Sequence, residues 1–299
     1  MPGSRGVCGS PCPCPPTTCL RLGWCCRAWS TAMSIWTRPT PGRSIPTSAA
    51  ATGVPWRPTC GSTAPEPWPA CFNVENAPWR EHSPMGCGPC AAMWDSGGPG
   101  AEPSWDALLT LQQRWRRRID LQLVALVPLE FWSSAEADAL ARRVAASGGC
   151  LGGVLTPPCG SPVVTEQLEV LLRLADRHNC GVDLHIDEAD HDAAQGMVQL
   201  LKALQRVPVQ VPVTCSHASS LSLLPASSLA RLAERMAAAQ LSVIALPLTN
   251  AWLLARADGA TPLQRPQAPI RQLQRSGVPV AVAGDNVADP WFPGGDFDP

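Results

Sequence analysis

From about residue 119 onward the chain repeats one pattern, a short run of β-branched and other apolar residues followed by a longer stretch with apolar positions at helical spacing. Parallel strands covered by crossover helices produce that alternation, because each strand is buried on both faces and its return connection is a helix. IDLQLVALVP (119–128) predicts a strand, and CLGGVLT, GVDLHID, VQVPVTCSH, LSVIALPLT and VPVAVAGDN predict five more. Helices fit between them over 134–147, 165–178, 192–206, 226–239 and 268–276, the first opening on Ser134 as a cap with Glu136 near its first turn. Six such strands make either an open doubly wound sheet or most of a (β/α)8 barrel. No G-x-G-x-x-G follows a strand, which weakens the dinucleotide-binding version.

In a β/α barrel the chemistry collects where the strands end. Three of the predicted strands end on acid/base or ligand-type side chains: His185, Asp187 and Glu188 in HIDEADHD, His217 in TCSHASS, and Asp285 in AGDNVADPWFPGG. A lone His at a strand end is usually a hydrogen-bonded structural residue and a lone Asp before a turn is usually a cap. Three in one register favour a site. Imidazoles with a carboxylate suit zinc or iron, and a further carboxyl can carry protons to a leaving nitrogen.

These residues carry a resemblance. His185-Ile-Asp-Glu188 after one strand, Ser216-His217 after the next, PLTN at 247–250, and Asp285-Asn286 followed by Asp289-Pro-Trp-Phe-Pro293 are similar to cytosine deaminase and its relatives in the amidohydrolase superfamily, over roughly residues 115–299. The resemblance implies a (β/α)8 TIM-type barrel of which this chain holds strands three to eight. It also implies one divalent metal ion, Fe or Zn, with His185 and Asp285 as ligands and a metal-bound hydroxide as nucleophile. In that scheme Asp285, His217 and Glu188 are catalytic: Asp285 takes the proton of the attacking water, His217 hydrogen-bonds the metal-bound oxygen, and Glu188 shuttles protons to the ring nitrogen and the departing amine. Asn286 and Trp291 shape the substrate pocket. The implied substrate is a small nucleobase-like ring, a cyclic amidine or amide hydrolysed with release of ammonia. Leu129 stands where relatives acting on cytosine present a Gln, so a related ring is at least as good a candidate as cytosine itself.

One expected part is missing. The superfamily's first strand ends in H-x-H, and no H-x-H occurs anywhere in this chain. Residues 1–100 instead hold 10 of the 14 Cys, 7 of the 12 Trp and 17 of the 33 Pro, but only two Leu. Cys87-Gly-Pro-Cys90 has the spacing of a zinc ligand pair, yet no H-x-E precedes it as the His/Cys/Cys zinc deaminases require. Such composition is what a GC-rich gene yields out of frame. Reading residues 24–41 in the neighbouring frame, with each codon's third base joined to the next codon's first two, permits VLPGLVDGHVHLDKAYTW, which matches the first-strand signature. The same shift over Pro89–Trp94 permits VRSHV. Residues 1–94 are therefore expected to be an out-of-frame or disordered Pro/Cys/Trp-rich segment without regular structure, and 95–299 a partial barrel. The competing reading is a non-catalytic frameshifted remnant or interaction protein.

The formal net charge of −1 gives no electrostatic reason to expect nucleic acid or an anionic membrane as partner. Without a long apolar run or a signal-peptide pattern, the expectation is a cytoplasmic protein, with homo-oligomerisation open. Arg114 and Arg116–Arg118 read as a solvated helix face, Cys150, Cys159, Cys180 and Cys215 as reduced thiols, and Asp190–Asp192 as the start of the helix after GVDLHID.

Overall fold

The computed structural model describes residues 89–97, 101–117, 120–256, 259–285 and 292. Seven strands run parallel in chain order: β1 (Pro89–Asp95), β2 (Asp120–Leu126), β3 (Cys150–Leu155), β4 (Gly181–Ile186), β5 (Val213–His217), β6 (Ser242–Ala245) and β7 (Val280–Val282). Alternating with them are α1 (Ala101–Trp115), α2 (Ala137–Ala146), α3 (Pro162–Arg177), α4 (Gln195–Arg206), α5 (Ala226–Ala238), α6 (Pro247–Leu253) and α7 (Ile270–Arg275). The sheet curls into a partial barrel of the β/α type.

All six strands predicted from the sequence are present. The structure adds β1, most of which falls inside the segment expected to lack regular structure, and α1, whose Trp105, Leu108, Leu111 and Trp115 recur at helical spacing and are all buried. The strand expected over 241–249 stops at Ala245, because Pro247 occupies the first turn of α6. The helix expected from 192 begins at Gln195.

Strand alternation divides the apolar residues into two layers. One face packs Leu121, Leu123 and Ala125 of β2, Leu151 and Leu155 of β3, and Val182, Leu184 and Ile186 of β4 against the helices. The other face lines the barrel interior with Met93, Val124, Leu126, Cys150, Leu246 and Ala283. Trp132 is sealed into the helix side, where its Nε1 donates to the Gly152 carbonyl at 2.8 Å. Gly152 itself is required by the β2–β3 contact, since a Cβ there would lie 2.6 Å from the Ala125 carbonyl oxygen.

Candidate active site

The interior faces of β4 and β5 carry buried polar side chains. Asp183 and His185 alternate on β4, and Thr214 and Ser216 are their register partners on β5. Ser216 Oγ donates to Asp183 Oδ1 at 2.8 Å, both side chains being buried. Burial pushes the Asp183 carboxyl up to about 7, against the lowering effect of the Ser216 hydrogen bond. Asp183 lies two residues before His185 on the same face, and Ser216 is level with His185 on the neighbouring strand.

Above it, two sharp turns bring the site together. In register His217 pairs with Ile186, a helix-side residue, so plain alternation would carry His217 away from the interior. The backbone instead turns left-handed at Asp187 (φ 56°), His217 (φ 71°) and Ala218 (φ 50°), a conformation costing about 1–2 kcal/mol per non-Gly residue. Hydrogen bonds hold these turns. Ala218 N donates to the Ile186 carbonyl at 2.9 Å, and the Asp187 carbonyl accepts from Ser220 N at 2.9 Å and from Ser219 Oγ at 3.0 Å. The Asp187 carboxylate caps α4, accepting from Gly196 N and Met197 N, each at 2.9 Å. Asp187 is thus a structural latch, and Gly196 must be glycine because a Cβ there would stand 2.8 Å from Ile186 Cγ1.

The outcome is a compact group of side chains. The His185 and His217 rings meet edge to face with centroids 4.8 Å apart. His217 Nδ1 lies 3.3 Å from Glu188 Oε1. Asn250, completely buried in α6, donates through Nδ2 to Glu188 Oε1 at 3.2 Å and lies 3.0 Å from His217 Nδ1. Asp285 follows β7 on the interior face and is buried. Burial, and next the negative charge of Asp285, push Glu188 up to about 8, and the Asn250 hydrogen bond opposes that rise. Burial lowers His185 to about 4, and burial with the neighbouring His185 holds His217 well below the usual imidazole range. The lowered pKa values favour the neutral form of both rings, which keeps a lone pair on one nitrogen.

Of the expected residues, His185 meets His217 and His217 meets Glu188, while Asp285 is buried after β7 and its charge reaches Glu188. Leu129 does not join them; it is 4% exposed and packed in the helix-side core. Asn286 and Trp291 lie outside the described residues, as do Cys87 and the side chain of Cys90. Asp190 bonds the Ala255 amide at 3.1 Å and His191 at 2.8 Å, outside α4. Asn250 was not among the expected site residues, although it closes the PLTN motif just after a predicted strand.

The chemistry of the donors decides whether they fit the implied metal ion. Among the described residues His217 Nε2 is buried without a hydrogen-bond partner, as a ligand or substrate contact would be. Catalytic zinc sites take three protein ligands, however, and among the described residues no three His, Cys, Asp or Glu side chains are grouped to hold an ion. The described residues do not by themselves fit a tightly bound metal.

Residues 135–299, more than half of the chain, match the model of the amidohydrolase family. A pterin deaminase of Rhizobium rhizogenes is 34% identical over 206 residues, covering 69% of this chain and 46% of that protein. An N-isopropylammelide isopropyl amidohydrolase of a Pseudomonas species is 24% identical over 195 residues, covering 64% of this chain and 44% of that protein. The chain thus spans about half the length of these curated relatives. Among solved structures, 5-methylcytosine deaminase of Klebsiella pneumoniae liganded with phosphonocytosine superposes with a TM-score of 0.67 at 23% identity, over 78% of this chain and 57% of that one. An N-isopropylammelide isopropylaminohydrolase of Burkholderia multivorans gives a TM-score of 0.61 at 24% identity, over 76% and 55%. Family match and fold agree with the strand-end chemistry, and the chain belongs to the amidohydrolase family.

Proposed function

We propose that this chain carries the acid–base half of a hydrolytic deaminase site for a nucleobase-like ring. The reaction is addition of water to an amidine carbon, C–NH2, followed by cleavage of the C–N bond, leaving C=O and ammonia. The observation that carries this reading is the geometry of Glu188, whose Oε1 lies 3.2 Å from Asn250 Nδ2 and 3.3 Å from His217 Nδ1, with burial raising its carboxyl above the usual range. Its proton goes to the ring nitrogen as water adds, the carboxylate takes one proton from that water and passes it to the departing amine, and the hydroxyl's remaining proton restores Glu188 as C=O forms, a shuttle suited to a group with pKa near the working pH. His217, neutral, presents Nε2 to the oxygen developing at the substrate carbon, and Asn250 orients both Glu188 and His217.

The substrate class follows from the shared chemistry of the relatives. Pterin and 5-methylcytosine both carry an exocyclic amine on a ring amidine, the group that Glu188 is placed to protonate. The 34% identity to a pterin deaminase favours a bicyclic ring over cytosine. A divalent ion held partly by His185 and Asp285 belongs to this reading only when further donors complete the set. As it stands the chain is expected to turn nothing over, and the remnant reading describes it in that state.

The test is ammonia release from a panel of pterins, cytosine and ammelide-type triazines, in the presence of zinc or ferrous iron. The enzyme is expressed from the gene read as here and from the neighbouring frame joined at Asp95. Release by the second protein, lost on Glu188→Gln, is the expected result. Full activity of the Glu188→Gln protein contradicts the proton-shuttle assignment.

A further inference from the structure

The described sheet is open at both edges, and the described site lacks a full set of metal donors. Among the described strands β1 and β7 each pair on one edge only, and they do not pair with each other. The chain has five His in all. His178 is tied to Asp138 Oδ1 at 2.9 Å on the helix layer, and the exposed His191 is bonded to Asp190 at 2.8 Å. Apart from His185 and His217, that leaves His82 as the one further imidazole.

We infer that the codons before Asp95 are read out of frame in this chain, and that the neighbouring frame supplies both the strand that belongs between β7 and β1 and the donors the site lacks. The donors deepen the deaminase reading above, but their presence does not depend on it.

The register of β1 gives the structural argument. Met93 faces the barrel interior with Val124 and Leu126, while Ala92 packs on the helix side. Joining each codon's third base to the next two gives N-A-T at position 93, which encodes only His, Asn, Asp or Tyr. At position 94 the Met and Trp codons are unique and force GTG, valine. The neighbouring frame therefore puts a polar donor on the interior face and an apolar residue on the other, the alternation that a barrel strand ending at a site needs.

The same arithmetic applies upstream. Trp24-Cys25-Cys26 forces Val-Leu. Positions 33 and 35, fixed by the codons of Met33 and Ile35, are again limited to His, Asn, Asp or Tyr. Position 34 becomes Val or Glu, position 36 Leu or Met, and position 37 is forced to Asp by Trp36 and Thr37. In the neighbouring frame, positions 33, 35 and 37 are thus donor-type residues spaced two apart. Every Cys or Trp codon begins TG, and any base before TG gives Leu, Val or Met. The 10 Cys and 7 Trp of residues 1–100, where only two Leu occur, thus become ordinary core residues in the neighbouring frame.

The join is visible in the packing. From Asp95 onward the frame gives residues that fit: Asp95 is in register with Leu126, Ser96 N donates to the Leu126 carbonyl at 2.9 Å, and Ser96 Oγ accepts from the buried Trp105 Nε1 at 2.9 Å. Dropping a single G between the Trp94 and Asp95 codons connects the two frames.

The experiment has two parts. The gene is sequenced across codons 20–100, and tryptic peptides of the native protein from cells carrying it are mapped by mass spectrometry. The chain restored to one frame is then made, and its metal content is compared with that of the chain as read. The expected result is an uninterrupted neighbouring frame with His at positions 33 and 35, native peptides in that frame, and about one divalent ion per restored chain. Native peptides matching residues 24–94 as read, a stop codon in the neighbouring frame, or a folded restored chain that gains no metal each overturn the inference. A restored chain that binds metal but releases no ammonia leaves this inference standing and refutes the deaminase reading.

Discussion

The ends of β4 and β5 and the edge at β1 belong to one sheet and are built differently. At β4 and β5 every unusual backbone feature has a partner: left-handed Asp187 caps α4, its carbonyl binds Ser219 and Ser220, and Gly196 makes room for Ile186. At β1 the strand pairs along seven residues with β2, yet the residues it carries are those of a Pro/Cys/Trp-rich stretch, with Met93 where the interior approaches the site. The contrast teaches that a backbone position can be right while its side chains are not. On the inference above, the side chains of β1 before Asp95 are those of the wrong frame although its backbone pairs in register.

Several changes would break or sharpen that contrast. The largest expected effect is at the latch. Asp187→Ala removes two charge-assisted hydrogen bonds and leaves the first amides of α4 buried without partners, at a cost of about 3 kcal/mol, read as a lower urea midpoint with unchanged slope. Gly196→Ala drives a methyl into Ile186 and should cost roughly 2 kcal/mol by overpacking. Ser216→Ala strips Asp183 of its one hydrogen bond recorded in the structure and is expected to cost about 1–2 kcal/mol. An unchanged midpoint in any of the three contradicts the role given to that residue.

Two smaller effects need no mutation. Amides of β4 and β5 should exchange with deuterium only through global unfolding, while those of the edge strands β1 and β7 exchange by local opening. Equal protection across the sheet would remove the distinction drawn above. The thiols of Cys159 and Cys180 are pushed by burial up to about 12 and about 11, and burial raises Cys150 and Cys215 well above the usual range. All four remain protonated thiols at pH 8, so none should be alkylated by iodoacetamide until the protein is unfolded.

Much of this was legible in the sequence, for identifiable reasons. Parallel strands buried on both faces leave continuous apolar runs, and six were readable. Their terminal His185, Glu188, His217 and Asp285 stood out because polar residues directly after such runs are few. α6 was read as a strand end, since PLT continues an apolar run and only the first-turn role of Pro247 separates the two. Asn250 escaped notice because a neutral amide carries no charge signal, and its importance lies in a helix turning back over Glu188. β1 was illegible because Pro, Cys and Trp codons conceal its alternation. The convergence of His217 depended on left-handed turns at Asp187, His217 and Ala218, which the residue types do not announce.

The most direct test of the account is the metal content of the chain as it stands, measured by plasma mass spectrometry after exposure to zinc or ferrous iron and gel filtration. His185 and Asp285 alone should not retain an ion, so the predicted result is far less than one equivalent. One tightly held equivalent would show that the chain already possesses a complete donor set, and would contradict both the missing-strand account and the reading of residues before Asp95.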